Sequence, residues 1–120
     1  MGMSLNVQID GSRALVEVRG TVDMDSAPRL RAQLIDVLGR GCRHLVVDMR
    51  RVDFIDSMGL RVLVGVLKHA WAQQGSLRLV VTDERILKIF RITDLLRSFP
   101  IHAGVEEALA EVPGEAVPEA

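Results

Sequence analysis

A chain of 120 residues with a net charge of −1 has room for one hydrophobic core and carries no basic field for duplex DNA. Aromatic residues are 3% of the chain and Tyr is absent, so the stacking surface that single-stranded nucleic acid requires is missing too. The lone Cys42 excludes an internal disulfide, Met1–Leu5 lacks the features of a secretory signal, and no apolar run nears the roughly 18 residues of a membrane span; a soluble cytoplasmic protein is expected, with no direct nucleic acid and no membrane insertion.

Leu5–Ile9 alternates apolar and polar residues with the period of a half-buried strand. Asp10-Gly11-Ser12 is a turn signal, and Ala14–Val18 reads as the second arm of a hairpin that Gly20 ends. Thr21–Ser26 is then a polar loop. Asp25 or Ser26 caps the helix that follows, and Pro28 is tolerated because it lies in the first turn. Leu30, Leu34, Val37 and Leu38 recur at helical spacing until Gly39 and Gly41 stop the helix.

Leu45-Val46-Val47, ending in Asp48, reads as a strand buried on both faces and continuing toward Val52–Ile55. A helix from about Met58 to Gln74 carries the stripe Leu60, Leu63, Val64, Leu67 and Trp71, and Gly75 closes it. Leu77–Val81 is a further strand. Ile86, Leu87 and Phe90 mark a short helix, broken near Arg91–Asp94 and resumed at Leu95-Leu96. Ile101 falls in an edge strand and Val105–Leu109 in a last helix, while residues 112–120 have the composition of a disordered tail. The order β-β-α-β-α-β-α-β-α, with about four helices, predicts a single α/β domain over residues 1–111, its mostly parallel sheet opened by a hairpin.

Chemistry concentrates where an apolar strand end runs into Asp56-Ser57 and a long helix starts at once. Ser57 stands where an N-cap belongs, and the carboxyl ends of strands in such sheets are where ligands and partners are met. Gly59, one turn in, is read as leaving the serine open to approach. Asp-Ser-Met-Gly is not the Gly-x-Ser-x-Gly elbow of a serine hydrolase. His44, His69 and His102 are scattered, each expected on the surface or rim, with no spacing for a triad base or a metal pair. No glycine-rich phosphate loop is present. The residues therefore point away from an enzyme and offer no catalytic, metal or cofactor set.

Asp56-Ser57-Met58-Gly59-Leu60-Arg61-Val62-Leu63 resembles the Asp-Ser-(Ser/Thr)-Gly-Leu-x-x-Leu signature of STAS-domain anti-sigma factor antagonists. Gly20-Thr21-Val22-Asp23, Leu45–Met49 and Ile86–Leu96 are similar to three further blocks of that family, in the same order, so the likeness spans roughly residues 5–110. The resemblance implies an anti-anti-sigma factor that binds an anti-sigma factor serine kinase and releases the sigma factor. It further implies phosphorylation of Ser57 by that kinase, which ends binding, and a serine phosphatase that resets the switch. Asp23, Asp56, Ser57, Met58 and Gly59 become the expected partner-binding residues, with Asp23 orienting the hydroxyl or touching the partner and Asp56 fixing the approach to Ser57 or helping to cap the helix. Met58 departs from the signature and adds adaptable apolar contact area. A second reading makes the domain an unphosphorylated subunit of a lipid-transport or other membrane-associated ATPase complex; serine directly after Asp56 favours the switch. The oligomeric state stays open, a monomer being what the resemblance implies.

Overall fold

β1 (Met3–Asp10) and β2 (Arg13–Val22) fold back on each other as an antiparallel hairpin, in the computed structural model that describes residues 2–111. The tail expected to be disordered, 112–120, lies outside the described residues. Strict alternation sets the hairpin's faces: Leu5, Val7 and Ile9 stand opposite Val18, Val16 and Ala14, and Ser4, Asn6 and Gln8 take the other side. β3 (His44–Ile55), β4 (Ser76–Val80) and β5 (Ile101–His102) then join in parallel, giving a five-stranded sheet in the order β1-β2-β3-β4-β5.

Each parallel step is made by a helix: α1 (Ala27–Gly39), α2 (Ser57–Ala72), and α3 (Glu84–Ile92) with a 3-10 turn at Leu95–Arg97. All the steps advance in one direction across the sheet, so right-handed crossovers place all three helices on one face. Their buried residues share a single core with that face, built on Leu34, Leu45, Leu63, Leu77, Phe90 and Phe99. Phe99, between the 3-10 turn and β5, meets Phe90 edge-to-face at 5.9 Å and 77°. α4 (Val105–Ala110) covers the other face, where Ala108 closes on Val46 and Val80. Residues 45–49 are consequently all buried, as a strand sandwiched between two layers must be. Asp48 is among them. Burial pushes its carboxyl up, but two hydrogen bonds of 2.9 Å from the Arg50 guanidinium outweigh that, and the group stays below the usual range.

Four expectations need correction. Gly20 does not end β2, which runs on to Val22; it sits at a bulge with φ +95°, and a Cβ there would lie 2.2 Å from the Gly2 carbonyl oxygen. The buried stripe of α2 is Leu60, Leu63, Val66, Leu67 and Ala70, turned toward small residues that sit flush on the sheet. That rotation leaves Trp71 at the rim, 54% exposed. His102 is buried rather than peripheral because α4 folds over the end of β5, bringing Glu107 Oε1 to 3.2 Å from its Nδ1. The left-handed residue after α2 is Gln74, and Gly75 is required instead by close approach, since a Cβ would fall 1.9 Å from the Arg43 carbonyl oxygen.

Candidate functional site

The carboxyl ends of β2 and β3 converge on the start of α2. Thr21 Oγ1 donates to Asp53 Oδ1 at 3.0 Å and the Asp56 amide donates to the Val22 carbonyl at 3.1 Å, so the two strand ends are locked side by side. At that point the chain turns into α2 through Asp56, which is extended (φ −106°, ψ −174°) as an N-cap should be.

Asp56, not Ser57, is the cap. Its Oδ1 accepts from the Met58 and Gly59 amides at 2.9 and 3.1 Å, while its Oδ2 accepts from the Met24 amide at 3.2 Å. One carboxylate thus satisfies two helix N–H groups and ties the β2–α1 loop to the first turn of α2. Ser57 is displaced by one position into the first helical residue. It is exposed, and its hydroxyl makes no hydrogen bond to any described residue.

Asp23 turns inward on its own loop. Oδ1 accepts from the Asp25 amide at 3.0 Å and the Ser26 amide at 3.1 Å, and Ser26 Oγ donates to the Thr21 carbonyl at 2.8 Å. The Ser26 amide above all, with that of Asp25, holds the Asp23 carboxyl below its ordinary value and keeps it charged. The structure therefore gives Asp23 a loop-building role and no bond to Ser57, and Ser26 holds the loop rather than capping α1 with its side chain. Gly59 also differs from expectation. It is buried, and a Cβ there would come 2.7 Å from both Ile55 Cγ1 and Val22 Cγ1. Its part is to let the helix start seat closely on the strand ends, which fixes where Ser57 stands.

The β2–α1 loop, the end of β3 and the first turn of α2 each carry one exposed large apolar side chain. Met58 is 41% exposed, Phe54 50% and Met24 69%. Met58 also lines an open groove of about 380 Å³ between α1 and α2, with Ala27, Pro28, Val62 and Gly65 along it and Arg31 and Arg61 at hand. The sequence reading found Met58 but passed over Met24 and Phe54. A methionine between the two acids Asp23 and Asp25 is the available signal for Met24. Among the described residues no group of three or more His, Cys, Asp or Glu is placed to hold a metal ion, and no helix is long and apolar enough to cross a membrane.

Fold and site together define a small binding module. The family model for the STAS domain matches residues 4–108, and the chain belongs to that family. The anti-sigma-B factor antagonist of Bacillus subtilis is 34% identical over 106 residues, covering 88% of this chain and 96% of the relative. That name describes a regulator acting by binding and not an enzyme. Among solved structures, an anti-sigma factor antagonist from Mycobacterium paratuberculosis superposes with a TM-score of 0.85 at 24% identity, covering 92% of this chain and 94% of the other. The Bacillus cell fate determinant SpoIIAA in its phosphorylated form shares the fold with a TM-score of 0.71 at 19% identity, covering 89% and 97%.

Proposed function

We propose that this chain is a cytoplasmic anti-sigma factor antagonist that works by partner switching at Ser57. In the unphosphorylated form it binds an anti-sigma factor serine kinase and frees the sigma factor that kinase restrains. Transfer of phosphate to Ser57 Oγ ends the complex, and a serine phosphatase restores it. Asp23 and Asp56 shape the contact surface, Ser57 and Met58 form its centre, and Gly59 sets its position.

The observation that carries this reading is the division of labour between neighbouring residues. Asp56 caps the helix, so the hydroxyl of Ser57 is exposed and without a structural bond to break. Phosphate adds about −1.5 to −2 charges and three acceptor oxygens. Two of the helix N–H groups that would otherwise receive it are already held by Asp56, so the new charge projects toward the partner's side, beside an existing carboxylate. Repulsion and bulk then fall on the complex rather than on the fold.

The test is to incubate the protein with its cognate kinase and ATP and map the modified peptide by mass spectrometry. Phosphate on Ser57 alone is expected. Phosphate elsewhere, or none with a verified kinase partner, overturns the proposal; capture of a transporter ATPase subunit by an unmodified chain would favour the membrane-complex reading instead.

A further inference from the structure

β1 is the edge of the sheet, and its outer side lacks the usual protection against pairing. Over eight residues it contains no Pro, no Lys and no Arg, and its register with β2 runs from Met3 to Asp10 without a bulge. The direction of each backbone group follows from one bond. The Gly2 carbonyl accepts from the Thr21 amide, so by the two-residue period Ser4, Asn6 and Gln8 face β2 while Leu5, Val7 and Ile9 present N–H and C=O outward. Met3 also faces outward, but its carbonyl is taken by the Arg29 guanidinium. The open stretch is thus Leu5–Ile9, and it is symmetric about Val7.

That symmetry makes the edge self-complementary. If a second copy lies antiparallel with Val7 opposite Val7, then Leu5 faces Ile9 and all six outward groups of each strand find partners. Ile9, 47% exposed in the single chain, gains an apolar neighbour, and Asn6 falls opposite Gln8 on the other face. Asp10 meets Ser4 rather than another Asp10, one residue from the Arg29 that closes this edge. No like charges are brought together. We propose that the Leu5–Ile9 edge is a contact between two copies of this chain, joining their sheets antiparallel across a two-fold axis at Val7. Five residues a side fall well short of the roughly 20 of a stable interface, so the dimer is transient and concentration-dependent. The contact lies on the strand farthest along the sheet from β5.

Sedimentation equilibrium over a range of concentrations tests the association, and disulfide trapping tests the register. Asn6→Cys and Gln8→Cys chains sit at exposed positions, and the native Cys42 is buried and silent. Mixed together, the two variants are expected to cross-link much faster than either does alone, because only residues 6 and 8 are brought within disulfide reach. Ile9→Lys, also at an exposed position, is expected to weaken association at least tenfold. A chain that stays monomeric at every concentration overturns the proposal, as does trapping fastest for Asn6→Cys alone, or association unchanged in Ile9→Lys.

Discussion

Asp56 accepts the Met24 amide on one oxygen while its other oxygen holds the first turn of α2, so the loop before α1 is tied directly to the helix bearing Ser57. Two segments more than thirty residues apart in sequence are joined by a single carboxylate, and the surface around the serine is organised by that joint.

Asp56→Ala therefore removes three hydrogen bonds at once. Loss of the cap costs about 1–2 kcal/mol, and loss of the loop tie roughly 1 more. Ser57→Ala, at an exposed position with no bond to lose, should stay within about 0.5 kcal/mol of the native chain. Urea denaturation of the two variants decides between this assignment and one in which Ser57 is the cap. In the latter case their order would reverse.

Gly59→Ala should destabilise by about 1–3 kcal/mol through overpacking, because the added Cβ falls 2.7 Å from Ile55 Cγ1 and Val22 Cγ1. Both neighbours are side chains, so the site can be relieved. In a Val22→Ala background one of the two contacts is gone, and the further cost of Gly59→Ala should shrink by about 1 kcal/mol. A double-mutant cycle by thermal or urea unfolding measures it. Strict additivity would mean the helix start is not seated on Val22.

How far the sequence reached can be judged at these same residues. Element order, the hairpin and the buried central strand were legible because each rests on a local period: alternation in Leu5–Ile9, an unbroken apolar run at Leu45–Val47, a helical stripe from Leu60. What failed depended on the third dimension. A Ser and an Asp in succession are equally good caps on paper, and only the Met24 amide waiting across the loop selects Asp56. Gly59 read as an opening because a missing side chain looks the same from either side of a helix. Trp71 follows the stripe in sequence, yet Gly59 and Ala70 turn α2 away from it. His102 could not be seen as buried without knowing that α4 closes over β5.

Acid should weaken the cap of α3. Asp83 caps that helix, accepting from the Arg85 amide at 2.8 Å and pairing with the Arg85 guanidinium at 2.7 Å. The Arg85 side chain, then its amide, lowers the Asp83 carboxyl to about 2. A carboxyl depressed in the folded state contributes its stability above the unfolded value of about 3.9 and loses it as pH falls toward 2. Urea midpoints should decline across that window. Asp83→Asn, which still caps but does not ionise there, should flatten part of the slope.

Gly65 stands in mid-helix with nothing within 4 Å of a Cβ placed on it. Gly65→Ala should stabilise the chain by about 1 kcal/mol, since Ala gives up less backbone freedom in a helix. The same methyl would enter the α1–α2 groove beside Val62 and Met58. A variant that melts higher yet binds the kinase less well would place the groove inside the partner interface, whereas unchanged binding would leave it outside.

Ser57→Asp separates fold from contact. An acidic side chain in the first turn of a helix is favoured by the dipole, and Ser57 has no bond to lose, so the circular dichroism and unfolding midpoint should match the native chain. Binding should not survive so well. The new carboxylate stands next to Asp56 in the centre of the proposed surface, and a loss of about 3 kcal/mol would lower affinity for the kinase more than a hundredfold. Ser57→Ala, lacking both the charge and the acceptor hydroxyl, should bind as the native chain does and stay bound in the presence of ATP. Calorimetric titration of the three forms against the kinase tests this. Equal affinity for all three would show that the charge at position 57 does not control binding, and an unfolded Ser57→Asp would show that the hydroxyl has a structural role the geometry does not reveal.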